Sequence, residues 1–219
     1  MMPGSTITGL EVQKRNKERV NVYLDGEYAF SLDIMQAAAL RQGQILTESE
    51  ITALRESGAV SRAVEMAVRF LSYRPRSTAE VRRNLAEKDV ADPVIEQAVE
   101  RLSGLGYLDD AAFARFWVEN RSTFKPLSPR ALRYELRQKG VADTVIDDVL
   151  ADVDAFGVAY RAATSRVSRL RGSDHETFRQ RLYNFLQRRG FSFDTIRDVV
   201  EQLIDELETE DTEYFTNPN

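Results

Sequence analysis

The sequence predicts a mainly α-helical protein: three tandem three-helix repeats in an elongated, curved array, preceded by a small N-terminal β-hairpin and helix module. Three observations predict it. The phrase AEKDVADPVIE at 86–96 returns 51 residues later as RQKGVADTVID at 137–147, with Lys, Val, Ala, Asp, Val and Ile recurring in place. The apolar positions Val81, Leu85, Val90, Ile95, Val99 and Leu102 recur after 51 residues as Leu132, Leu136, Val141, Ile146, Leu150 and Val153. After 50 more they recur as Leu182, Leu186, Phe191, Ile196, Val200 and Leu203. Residues 5–32, by contrast, alternate Val, Tyr, Leu and Phe with polar residues, which is strand patterning. A unit of about 50 residues is small for a core of its own, so stacked copies must bury each other's ends.

In chain order, ITGLEVQ (7–13) and RVNVYLDGEYAFSL (19–32) read as strands, with Asp25-Gly26 as the two-residue hairpin turn. The basic run QKRNKER (13–19) reads as an exposed turn. Thr47 and Glu50 fit a capping box that opens a short helix closed by Gly58. Residues 1–58 thus form the first module. Repeats are expected over 61–109, 110–154 and 155–206, their first helices at 61–73, about 110–123 and about 155–170. The second helix of each ends at Lys88-Asp89, Lys139-Gly140 or Arg189-Gly190, where Gly, or Asp at greater cost, turns left-handed. The third helix is entered through Asp92-Pro93 and Asp143-Thr144 as N-cap and first residue, and through Ser192 or Asp194 in the last copy. The acidic end, 207–219, reads as a mobile tail.

The chain has 219 residues, a net charge of −5 and no cysteine. Disulfides, thiolate zinc sites and a Cys nucleophile are therefore excluded, and a reducing cytoplasm is expected. No apolar run approaches a membrane span, and no secretory leader is expected. Charge is segregated three times over. Residues 69–88 hold six bases against two acids, 121–140 six against one, and 161–190 eight against two. The third helices and the tail are acidic: 89–108, 141–154 and 191–206 carry four, five and five acids against at most one Arg. Solvated helix faces explain such a pattern in one helix. Stacked copies would instead align the bases into a stripe suited to phosphates or an acidic protein.

Catalytic apparatus is missing. There is no GxxxxGK, and Gly104-Leu-Gly106 reads as an interhelical loop. The single histidine, His175, has no second His or Cys to share a metal, and Asp109-Asp110 reads as a helix start. Phe113, Phe116, Trp117 and Phe124, three to four residues apart for the most part, read as core packing. A non-enzyme without cofactor or metal is expected.

FLSYRPRSTAEVRRNLAEK (70–88), IEQAVERLSGLGYLDDAAFARFWVENR (95–121) and KPLSPRALRYELRQKGV (125–141) resemble RecX regulatory proteins. Tyr107-Leu108-Asp109-Asp110 with Phe113-Ala114 and Arg121 is the most specific part. Leu127-Ser128 stands where a glycine is common in the family. The resemblance implies a bacterial protein that binds RecA in the groove of the RecA–DNA filament and restrains its ATPase, coprotease and strand-exchange activities. Weak direct binding to single- or double-stranded DNA and a monomeric state are also expected. The expected contacts are Arg74, Arg76, Arg82 and Arg83; Arg121, Lys125, Arg130, Arg133 and Arg137; and Arg166, Arg169 and Arg171. Two alternatives remain: a helix-turn-helix-like DNA-binding module acting without RecA, and a general protein-interaction scaffold.

Overall fold

The computed structural model describes residues 4–216. The chain divides into two compact units, split between Asp109 and Asp110. No helix among the described residues is long and apolar enough to cross a membrane.

The first unit begins with a four-stranded sheet, β1 (Ser5–Val12), β2 (Arg19–Leu24), β3 (Glu27–Asp33) and β4 (Ile45–Leu46), in the order β3-β2-β1-β4. Its paired strands are antiparallel. The hairpin turn is where the sequence predicts it: Asp25 and Gly26 take φ of 49° and 94°. A short helix, α1 (Ile34–Ala37), follows, and Ile7, Val22 and Leu32 are fully buried beneath the sheet. Arg19, at the end of the basic run expected to be an exposed turn, is 4% exposed. Its guanidinium donates to Ser31 O, Ser31 Oγ and Gly58 O, and pairs with Glu65 at 3.0 Å. A buried arginine persists where its donors are met in this way.

Glu65 and Gly58 lie on α2 (Glu48–Leu71), which replaces two expected helices by one. The Thr47–Glu50 capping box opens it as predicted. Gly58 does not close it. A Cβ there would lie 2.3 Å from Ser31 O, so glycine lets the helix backbone touch β3. One helix therefore serves both the sheet and the first repeat, where it packs with α3 (Thr78–Ala86) and α4 (Asp92–Gly104) around Val81, Leu85, Ile95 and Leu102.

The second unit contains α5 (Asp110–Phe124), α6 (Pro129–Gln138) and α7 (Asp143–Leu150), then α8 (Ala155–Val167), a 3-10 turn (Ser168–Leu170), α9 (His175–Gln187) and α10 (Phe193–Glu210). Of the eighteen repeated apolar positions, sixteen are buried; Val90 and Val153 are half-buried against the cores. Val153 packs on the cores of both repeats in this unit. The corner between second and third helices is left-handed in all three copies, with φ of 58° at Asp89, 77° at Gly140 and 84° at Gly190. The third-helix entries differ from expectation. Ala91 and Ala142 are the N-caps, without side-chain hydrogen bonds, so Asp92 and Asp143 act as first-turn acids at the positive end of the helix dipole. Ser192 does cap α10, accepting from Thr195 N. The third-repeat corner docks on the second repeat: Ser128 N donates to Arg189 O at 3.0 Å, and Arg189 Nη1 to Pro126 O at 2.8 Å.

The acidic end, as far as Thr216, folds back as a strap. Tyr214, 3% exposed, packs edge-on against Phe178 and donates to Val167 O. Phe215 stacks on His175 at 4.2 Å, and Gly172 N donates to Tyr214 O. Two aromatics thus overcome the acidic composition that predicts mobility. Residues 217–219 lie outside the described residues, as do 1–3 at the start.

Candidate binding surface

The expected contact arginines fall into two groups. In the first repeat, Arg74 forks onto Glu80 at 2.8 Å, while Arg76 lies 4.0 Å over the Phe70 ring and 3.9 Å from the same carboxylate. Burial pushes the Arg76 pKa down, and the charge of Arg74 adds to that. These two side chains pin the turn before α3. Arg82 reaches from α3 to α4 and donates twice to Glu96, at 2.8 Å each. That hydrogen bond holds the Glu96 carboxyl below its usual range.

The second repeat copies this clasp. Arg133 and Asp147, each 51 residues on from Arg82 and Glu96, pair between α6 and α7. Arg137 adds a bond to Asp143 at 2.6 Å, which holds that carboxyl down as well. On the inner side of α6, Glu135 accepts from Trp117 Nε1 at 2.8 Å and Arg121 Nε at 2.7 Å. Arg121 also lies 4.3 Å over the Trp117 ring, a cation–π contact on top of the ion pair. Of the four aromatics expected in the core, Phe113 is buried and Trp117 half-buried. Phe116 and Phe124 are 40% and 79% exposed: Phe116 faces outward and Phe124 ends α5.

The third repeat breaks the pattern. Fifty residues on from Glu135, Asp143 and Asp147 stand Phe185, Phe193 and Arg197. All three acids are gone. Arg166 and Arg189 instead both lie over the Phe185 ring, at 4.7 Å and 4.4 Å from its centroid. Burial, then the charges of Arg166 and Arg188, push the Arg189 pKa down. Arg171 is separate, paired with Asp211 of the strap.

Seven of the twelve expected contacts are therefore joined to acids: Arg74, Arg76, Arg82, Arg121, Arg133, Arg137 and Arg171. No ion pair engages Arg83, Lys125, Arg130, Arg166 or Arg169 among the described residues. Sequence reasoning passed over Arg181, Arg188 and Arg189, although the base count of 161–190 includes them. These three share a region with Arg166 and Arg169, around a groove of about 460 Å³.

A chain built this way, with one helical brick used three times and charge displayed on its outer faces, is a tandem-repeat protein. Four models of one family match in order: the N-terminal domain of regulatory protein RecX over 5–47, and the first, second and third RecX three-helix domains over 63–102, 109–150 and 152–200. The chain belongs to the RecX family. Regulatory protein RecX of Bacillus subtilis (strain 168) is 36% identical over 213 residues, covering 94% of this chain and 80% of the relative. That of Clostridium botulinum (strain Alaska E43 / Type E3) is 32% identical, covering 90% and 95%. The crystal structure of a regulatory protein RecX superposes with a TM-score of 0.70 at 28% identity, covering 90% of this chain and 99% of the other. RecX from Lactobacillus salivarius, at 22% identity and a TM-score of 0.59 over 66% of this chain and 96% of its own, shares the fold.

Proposed function

We propose that this protein binds the RecA–DNA filament and restrains it, lowering RecA ATP hydrolysis, coprotease action and strand exchange during recombination and DNA repair in the cytoplasm. It acts by binding rather than by chemistry. The observation that carries this reading is membership of a family of regulatory proteins along nearly the whole chain. The three similar bricks support it, because successive modest contacts on a regular polymer gain from high effective concentration. Arg83, Lys125, Arg130, Arg166 and Arg169 are the contact residues of choice, since no acid among the described residues pairs with them. The seven paired side chains act first in holding helices together, and meet the partner only where it outcompetes their own acid.

The test is RecA ATPase on single-stranded DNA with purified protein added. Inhibition at or below one protein per RecA subunit is expected. Undiminished hydrolysis at equimolar protein would overturn the reading in favour of a scaffold with another partner.

A further inference from the structure

We propose that the groove between β3, α2 and the corner before α4 is a docking site for an extended acidic peptide segment of a partner protein, with apolar side chains between its carboxylates. This goes beyond the reading above, since none of the cations in the groove is among the contacts assigned there.

The groove holds about 420 Å³ and lies within the first unit. One wall is residues 28–31 of β3, the terminal strand of the sheet on that side. The facing wall is one side of α2, where Arg55, Gly58, Ala59, Arg62 and Met66 follow helical spacing. Lys88, Val90 and Val94 of the corner and α4 form the third side. The lining is apolar in part: Tyr28 is 58% exposed, and Met66, Val90 and Val94 are half-buried. Arg55, Arg62 and Lys88 are exposed and form no ion pair with the described acids. Arg19 also lines the groove, but it is already satisfied by Glu65 and Ser31. Asp89 is the one acid of the lining among the described residues, so three cations face one carboxylate.

Two observations choose the occupant. The first is what the same corner does in the third repeat. Lys88 corresponds to Arg189 there, by the steps of 51 and 50 residues. Arg189 holds a piece of chain in place: its carbonyl accepts from Ser128 N at 3.0 Å, and its Nη1 donates to Pro126 O at 2.8 Å. Ser128 is extended, with φ of −65° and ψ of 156°. This corner of the brick thus receives extended backbone. In the first repeat Lys88 O accepts no backbone hydrogen bond among the described residues, and the corner opens onto the groove instead. Asp89 carries a Cβ where Gly190 has none, so an incoming chain lies beside the corner, against Lys88 and β3.

The second observation is charge. Arg55 and Arg62 are seven residues apart, about 10.5 Å along the helix axis. An extended chain advances about 3.3 Å per residue and turns alternate side chains to opposite faces. Carboxylates at every second position therefore recur along the two arginines, which bind them through paired N–H groups. The residues between them are left to meet the apolar lining.

Anisotropy of a fluorescein-labelled peptide of about ten residues, alternating glutamate and leucine, tests this with the full chain. The peptide should bind, and added salt should weaken it. Arg62→Ala/Lys88→Ala should keep its circular dichroism and bind about 5-fold or more weakly. Ala59 is exposed, and Ala59→Glu places a carboxylate one turn from both Arg55 and Arg62; it should abolish binding. Arg83→Ala should bind as the unaltered chain does. A peptide with glutamine in place of glutamate should bind about 10-fold more weakly or worse. Failure of the acidic peptide to bind overturns the proposal, as does unchanged affinity in both groove variants or equal binding of the glutamine peptide. Displacement of the peptide by oligo(dT) of matched charge overturns it too, if oligo(dT) binding is itself lost in Ala59→Glu, since the groove would then be a phosphate site. RecA inhibition is read in its own assay and stands or falls separately.

Discussion

The second and third repeats place their apolar residues at matching positions and spend their arginines differently. In the second, Arg133 and Arg137 are closed onto Asp147 and Asp143, and Glu135 gathers Trp117 and Arg121. In the third, Tyr183 and Gln187 stand where those arginines were and Arg197, Phe193 and Phe185 where the three acids were, while arginines at other positions gather around a ring and a groove. A repeat can thus keep its core and exchange its surface, because core positions answer to packing density and surface positions only to the neighbours they meet. The third repeat also has a device the second lacks: the strap carrying Tyr214 and Phe215 is built onto Phe178.

The sharpest way to break the comparison is at that device. Phe178 is fully buried. Phe178→Ala should cost about 3–5 kcal/mol in urea unfolding; an unmoved midpoint would mean that the strap is not packed on it. A graft tests the charge difference. Glu135→Phe gives the second repeat the residue of the third and deprives the Trp117 indole and Arg121 of their acceptor. It should cost about 1–3 kcal/mol, read by thermal unfolding, and no cost would show that Glu135 is dispensable. The smallest effect is acid sensitivity. The Glu96 and Asp143 carboxyls are held below their usual range by hydrogen bonds from Arg82 and Arg137. A depressed folded pKa gives stability that is full above the unfolded value, near 4, and is lost as pH falls through the lower folded value. Arg82→Ala and Arg137→Ala should therefore flatten the acid limb of Tm against pH. If that limb keeps its shape, the clasps contribute nothing to acid sensitivity.

Much of this fold is legible in the sequence because its signals are local and thrice repeated. Val81, Leu132 and Leu182 sit at the same place in their helices, and Asp89, Gly140 and Gly190 turn the same corner. What sequence reasoning misread depends on distant neighbours. Gly58 carries the mark of a helix end, yet Ser31 O beside it makes it a point of contact inside a helix. Arg19 belongs to a solvent-like basic run, but its partners come from β3 and α2. The sign of every charge is visible, whereas pairing is a matter of geometry. Even so, the 14-residue gap between Arg82 and Glu96, kept between Arg133 and Asp147, was a signal that could have been found. Tail composition hid Tyr214 and Phe215, two anchors among four acids.

The continuous α2 has a mechanical consequence. No pliant hinge separates the sheet from the first repeat, so a push on β3 is delivered through Gly58 and Arg19 as torque along a stiff beam. Whatever grips the sheet also steers the first repeat, and anything that twists this repeat is registered at the sheet.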